Sequence, residues 1–165
     1  MMLKARNLPI IVDTREQCPF TFAADTITPR DPFVSHTVTR GTLPEGDYTI
    51  ESDIFATLSE RIIVERKSLA DLYQSCTQAR ERVEAEFGRL AAYGYAAVVI
   101  EADWSQIMEP NKFLNHHTLA NPKTIAATLI AWSQRFGVHI FPCPGRVFAE
   151  KITFRMLERW AKDHM

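Results

Sequence analysis

Glu65, Arg66 and Lys67 close an apolar run and are followed by Ser68 and Asp71. The β-branched residues Ile62, Ile63 and Val64 read as a buried strand. Side chains alternate along a strand, so Glu65 and Lys67 point to one face and Arg66 to the other. A carboxylate beside an ammonium at a strand end suits phosphodiester hydrolysis. The carboxylate holds a divalent cation, and the lysine steadies the attacking water or the charge that develops on the phosphoryl group. Such a site needs a second carboxylate, and Asp47 in PEGDY (Pro44 to Tyr48) is the candidate. VDTRE adds Asp13 and Glu16. Asp13, Asp47 and Glu65 each fall at or near a predicted strand end. Side by side, those ends would form one acidic pocket for a hard cation with oxygen ligands.

The elements that must position these groups are legible in outline. Leu8 to Val12 reads as a first strand ending in Asp13. Residues 17–33 carry Pro19, Pro29 and Pro32 and read as a loop. Val34 to Thr39 alternates as a strand, Gly41 to Gly46 is a turn, and Tyr48 to Ile50 starts another strand. Ile54 to Leu58 and Arg61 to Lys67 read as a pair joined by a tight turn near Ser59 and Glu60. Ser68 is a good N-cap for a helix from Leu69. A second helix is predicted over Gln78 to Tyr93, with Val83, Phe87 and Leu90 in line and Gly94 stopping it. Ala96 to Ile100 reads as a buried strand ending in Glu101, and Ser105 to Pro122 as irregular. Thr124 to Phe136 reads as a helix, Val138 to Phe141 as a strand, and Val147 to Ala161 as the last helix. Strands first, then alternating helices and strands, indicate a mixed sheet flanked by helices.

The ordered motifs resemble a known family. GDY, then VERKS, then DL look like the GDx(n)ERKx(3)D signature of XPF-type structure-selective nucleases. VDTRE resembles that family's upstream DxRE element. AVVIEAD (Ala97 to Asp103) and IFPCPGRVFAEKI (Ile140 to Ile152) are similar to later parts of the same domain. The resemblance spans roughly residues 8 to 162. It implies an α/β fold with a restriction-endonuclease-like core, a mixed central sheet between helices. It implies a divalent-metal-dependent endodeoxyribonuclease, using Mg²⁺ or Mn²⁺, that acts on branched or single-strand/double-strand junction DNA in repair or recombination. Residue by residue, it makes Asp47 and Glu65 metal ligands and Lys67 the catalytic lysine, with Asp13 and Glu16 completing the acidic pocket. Arg15, Arg66 and Asp71 match further signature positions with positioning roles, Arg66 and Asp71 in the catalytic set and Arg15 among the DNA-contacting residues. The family's RLxxQ element has a loose counterpart around Arg82 and Glu86, and neither a helix-hairpin-helix module nor a helicase is read within residues 1–165.

Several residues carry a plainer reading beside the functional one. Asp71 lies three residues after Ser68, a capping-box spacing. Arg66 could serve only to pair with a helix acid, and Glu16 could be a loop charge. Arg80, Arg82 and Arg89 form either a solvated helix face or a DNA-contacting one. The adjacent His116 and His117 have no metal-ligand partner at suitable spacing and read as exposed. Two rival functions stay open: a non-catalytic DNA-binding or scaffolding partner of a nuclease, and a less selective nickase.

Bulk properties agree with these readings and exclude others. The 165 residues fit one domain, and 46% hydrophobic residues suffice for a proper core. A net charge of −1 excludes a generally basic nucleic-acid binder but not a nuclease, whose carboxylates offset its basic groups. No apolar run is long enough to span a bilayer, and MMLKARNLPI lacks the apolar core of a secretory leader. Cys18, Cys76 and Cys143 are widely spaced, as expected of free thiols in a reducing cytoplasm, with nucleoid association if the source is bacterial or phage. In the last helix Phe148, Ile152, Met156 and Trp160 line up, and Phe154, Leu157 and Ala161 widen the stripe. That surplus of apolar surface, with the resemblance, points to a homodimer through this helix and the Thr124 to Phe136 helix.

Overall fold

The structure, a computed structural model, describes residues 6–165. The first five residues belong to the segment read above as lacking a secretory leader, and they lie outside the described part. Six strands form one mixed sheet in the order β2-β1-β3-β4-β5-β6. They are β1 (Arg6–Asp13), β2 (Phe33–Gly41), β3 (Tyr48–Ile50), β4 (Ile62–Lys67), β5 (Tyr95–Ile100) and β6 (His139–Pro142). The helices are α1 (Leu69–Cys76), α2 (Arg80–Leu90), α3 (Trp104–Met108), α4 (Pro122–Phe136) and α5 (Arg146–His164).

Strand alternation assigns the core to two layers. Ile62 and Val64 of β4, with Ala97 and Val99 of β5, face α5 and the Phe20–Phe22 loop. Ile63 of β4, with Ala96, Val98 and Ile100 of β5, faces α1, α2 and α4. Glu65 and Lys67 continue the Ile63 face, whereas Arg66 continues the Val64 face, as the alternation required. The parallel β4–β5 pair sets Lys67 opposite Ile100, so two strand ends emerge together. The antiparallel β3–β4 pair sets Tyr48 opposite Val64 and brings Asp47 alongside Glu65.

Two expectations are corrected. Ile54 to Leu58 forms no strand, and β4 pairs with β3 and β5 instead. The Glu60 carboxylate accepts from the N–H groups of Ala56 and Thr57 at 2.7 and 2.9 Å and winds Leu58–Glu60 into a 3-10 turn. Only Phe55 of the segment is buried, so no alternating apolar face was there to hold a strand. Ser105 to Pro122 is not wholly irregular, because α3 runs through it to Met108 and a 3-10 turn follows at Pro110–Lys112. The Asp103 carboxylate accepts from Gln106 N–H and the Gln106 side chain accepts from Asp103 N–H, both at 3.0 Å, a reciprocal cap that needs no apolar period. Ser68 caps α1 as read, and Gly137, at φ 66°, ends α4.

Candidate active site

Gly46 decides where Asp47 stands. Its φ is +69°, and a Cβ there would lie 2.4 Å from Ile63 Cγ1, so the chain crosses β4 at a distance only glycine permits. Asp47 is then clamped through its backbone, its N–H donating to Val64 O at 2.9 Å and its carbonyl accepting from Asp13 N–H at 2.8 Å. One carboxylate oxygen accepts from Arg66 N–H at 2.7 Å. Asp47 and Glu65 line one cavity of about 280 Å³ together with Asp13, Arg15, Glu45, Arg82, Glu86 and Arg89. Lys67 is buried behind Glu65, with its Nζ 3.3 Å from Glu65 Oε1.

The electrostatics are those of a site short of positive charge. Burial pushes Asp47 up to about 6 against the lowering pull of the Arg66 N–H. Burial, and then the Asp47 charge, push Glu65 well above the ordinary carboxylate range. Burial works against the Lys67 ammonium, but Glu65 and Glu86 hold its pKa above the ordinary lysine value. Two carboxylates thus face one cavity with one buried ammonium behind Glu65, an arrangement that a further cation relieves. Among the described residues no three His, Cys, Asp or Glu side chains converge as an ion cage. Mg²⁺ does not need one, being held by one or two carboxylates while it keeps its waters and takes substrate oxygens. Asp47 and Glu65 therefore fit a hard divalent cation.

The other residues singled out in the sequence separate into three groups. Arg15, Arg82 and Arg89 stand exposed at the cavity mouth. Asp13 also lines the cavity, but both its oxygens are occupied: Oδ1 accepts from Arg15 N and Nε at 2.7 and 2.8 Å, and Oδ2 from Leu43 N at 2.7 Å. Although burial opposes it, the Arg15 hydrogen bond leads in holding the Asp13 carboxyl below its usual range. Asp13 is thus the buckle of the 41–47 turn rather than a free ligand.

Glu16, Arg80 and Asp71 are not brought to the cavity. Glu16 lies on the opposite sheet face, where Arg66 Nε and Nη2 donate to its two oxygens at 3.0 Å. Arg66 also reaches Glu101 at 3.2 Å, and Arg146 reaches Glu101 at 2.7 Å while donating to the carbonyls of Cys18 and Pro19. The partners of Arg66 are thus loop and strand-end acids, not a helix acid. Arg80 turns to α4, donating to Thr128 Oγ1 at 3.0 Å, pairing with Glu84 and lying over Trp132. Asp71 is exposed and caps α1, with its N–H donating to Ser68 Oγ at 3.1 Å.

Sequence reasoning gave no role in the site to Glu45 and Glu86. The signal was present in the spacing: 82, 86 and 89 fall on one helical face, and Arg80 does not share it.

A family model for the ERCC4 domain matches residues 12–156, nearly the whole described chain. The chain belongs to the ERCC4-domain family. That is the XPF-type nuclease family its motifs resemble, a DNA-acting and repair-related class. Solved structures agree on the ERCC4 fold. XPF from Aeropyrum pernix matches with a TM-score of 0.61 at 20% identity, over 93% of this chain and 60% of that one. XPF from Aeropyrum pernix in complex with DNA matches with a TM-score of 0.63 at 20% identity, over 94% of this chain and 66% of that one. The chain therefore spans about two thirds or less of these two XPF chains, and at this identity the likeness speaks for fold alone. No curated protein sequence matches the chain. Among the described residues no helix is long and apolar enough to cross a membrane. The α/β class read from the motifs, a mixed central sheet flanked by helices, is the one that this ERCC4 domain adopts, with a fold similar to XPF.

Proposed function

We propose that the chain is a DNA endonuclease that hydrolyses phosphodiester bonds with Mg²⁺ or Mn²⁺, on branched or junction DNA. The observation that carries this reading is the convergence of Asp47 and Glu65 on one cavity, backed by buried Lys67 against Glu65, with both carboxyl groups raised and arginines at the rim. Asp47 and Glu65 hold the cation, and the Arg66 N–H fixes the orientation of Asp47. When bound, the cation neutralises charge at the scissile phosphate and lowers the pKa of the attacking water. Lys67 keeps its proton and stabilises the extra negative charge of the transition state. Arg15, Arg82 and Arg89 meet the flanking phosphates, which position the backbone without reading sequence. Cleavage leaves a 5′-phosphate and a 3′-hydroxyl.

A panel of hairpin, flap, fork and linear duplex DNAs, incubated with Mg²⁺, Mn²⁺ or EDTA, tests this. We expect metal-dependent cutting that favours branched substrates and stops with EDTA. Asp47→Ala and Glu65→Ala should bind DNA without cutting it. Cleavage that persists in EDTA, or no cleavage of any substrate with metal, overturns the proposal and returns the non-catalytic reading to the front. Equal cutting of all the substrates supports the nickase reading instead.

A further inference from the structure

A second opening lies beside the catalytic cavity, on the same sheet face. It is a slot of about 240 Å³ between the 43–44 segment, the 3-10 turn at Leu58–Glu60 and Tyr93. Its floor is Ile63, two residues before Glu65 on β4. Two strand residues span about 6.6 Å, so Ile63 in the slot lies about that far along β4 from Glu65. That is about two base steps of DNA, each rising about 3.4 Å. Loop 43–47 divides the two openings: Leu43 and Pro44 line the slot, while Glu45 and Asp47 line the cavity.

The chemistry of the slot contrasts with that of the cavity. Its walls are mostly apolar, with Thr49 and Thr57 among them, and among the described residues lining it Arg61 is the only charged one. Leu58 at its mouth is 41% exposed, apolar surface that the domain's own core does not use. The aromatic wall is held in place. Gly94 N–H donates to Leu58 O at 3.2 Å, and a Cβ at Gly94 would stand 2.2 Å from Ser59 O, so Tyr93 is pinned against the turn. Arg82, Glu86 and Arg89 follow one face of α2, and Tyr93 stands in the turn just past its end, a line running from the cavity to the slot. A backbone laid along that line meets Arg82 and Arg89 with its phosphates and Tyr93 with a base.

We propose that this slot receives one unpaired nucleobase of the strand being cut, within about two nucleotides of the scissile phosphate, stacked on Tyr93. A flat π-face suits an aromatic and aliphatic slot, and such stacking tolerates any base. A base leaves its stack readily where the duplex is already interrupted. The slot therefore supplies a structural reason for preferring branched DNA over continuous duplex. The proposal rests on the nuclease reading.

The test begins with the wild-type chain and a forked DNA whose cut position has been mapped. Abasic sites are then placed one at a time in the three nucleotides on each side of the cut. One abasic position should lower kcat/KM roughly 5- to 150-fold, the range of one base–aromatic stack. Tyr93→Ala should do the same on intact DNA, and the two changes together should lose no more than either alone. Tyr93→Phe keeps the ring and should lose far less than Tyr93→Ala. Leu58→Trp fills the slot from its exposed mouth and should reproduce the Tyr93→Ala loss; it decides the matter if Tyr93→Ala melts early. A flat abasic scan with an active enzyme, or losses that multiply, overturns the slot alone. A wild-type chain that cuts no DNA overturns the nuclease reading, and the slot falls with it.

Discussion

At the scale of single residues, Asp47 and Lys67 set function against stability. Asp47 rises from 3.8 to about 6 mainly through burial. A carboxyl group raised in the folded state favours folding while it is protonated. That contribution is complete below about pH 3.8 and is lost as pH climbs through 6, at a cost of about 3 kcal/mol. Glu65 shifts in the same direction. The metal-free protein should therefore melt at a lower temperature at pH 8 than at pH 5. Mg²⁺ should raise the melting temperature much more at pH 8 than at pH 5, and a metal shift that ignores pH would defeat this account. Asp47→Asn should raise the metal-free melting temperature at pH 8 by roughly 5 °C while abolishing cleavage and most of the Mg²⁺ shift. Lys67→Ala should slow single-turnover cleavage by about 10²–10³-fold at saturating metal, as for other losses of one transition-state stabiliser. A loss under tenfold would leave Lys67 without a catalytic part.

At the scale of elements, the 41–47 turn decides whether the site exists. Asp13 gathers Arg15 and Leu43, Gly46 lets the chain pass over Ile63, and Asp47 arrives beside Glu65. Gly46→Ala meets both a positive φ and a Cβ contact of 2.4 Å with Ile63, whose γ-carbon is not a free end. We expect a loss of about 2–3 kcal/mol by denaturant melts and a fall in cleavage larger than the population unfolded explains. Wild-type cleavage in Gly46→Ala would show that the turn can be rebuilt. These dependencies also mark what the sequence could disclose. The strand period placed Glu65, Lys67 and Arg66 on their correct faces, because alternation is a backbone property that tertiary contacts leave alone. The order of the motifs brought Asp47 to Glu65. It could not show that Asp13 and Glu16 spend their charge on Arg15 and Arg66, since carboxylates of one type look alike until their partners arrive. Ile54 to Leu58 misled for a similar reason: a local cap from Glu60 outweighed β propensity that had no neighbouring strand to satisfy it.

At the scale of the whole molecule, the described sheet ends in two edges, β2 and β6, and β6 is flanked by apolar openings on both faces. On the α5 face, Tyr95, Phe141, Ile152, Met156 and Trp160 line a groove of about 470 Å³. The stripe read along α5 is thus divided: Phe154, Leu157 and Ala161 are buried on the sheet, Ile152, Met156 and Trp160 border the groove, and Phe148 stays 47% exposed. On the α4 face, Trp104, Ile130 and Ile140 border a smaller opening of about 230 Å³, with Ile130 55% exposed. Helices α4 and α5 lie on opposite faces, so one interface reaches both only by wrapping the short β6 edge. A second copy related by a two-fold axis along that edge would cover both openings at once, as an isologous contact requires. We therefore expect a homodimer with a mass near twice 18.8 kDa in light scattering at micromolar concentration. Ile130→Glu changes an exposed position on one face, and Met156→Glu a groove position on the other. Either should shift the protein toward monomer while circular dichroism melts stay within a few degrees. A wild-type monomer that cuts DNA normally removes the dimer from the mechanism. Loss of the dimer in Met156→Glu but not in Ile130→Glu would confine the interface to the α5 groove and leave α4 outside it.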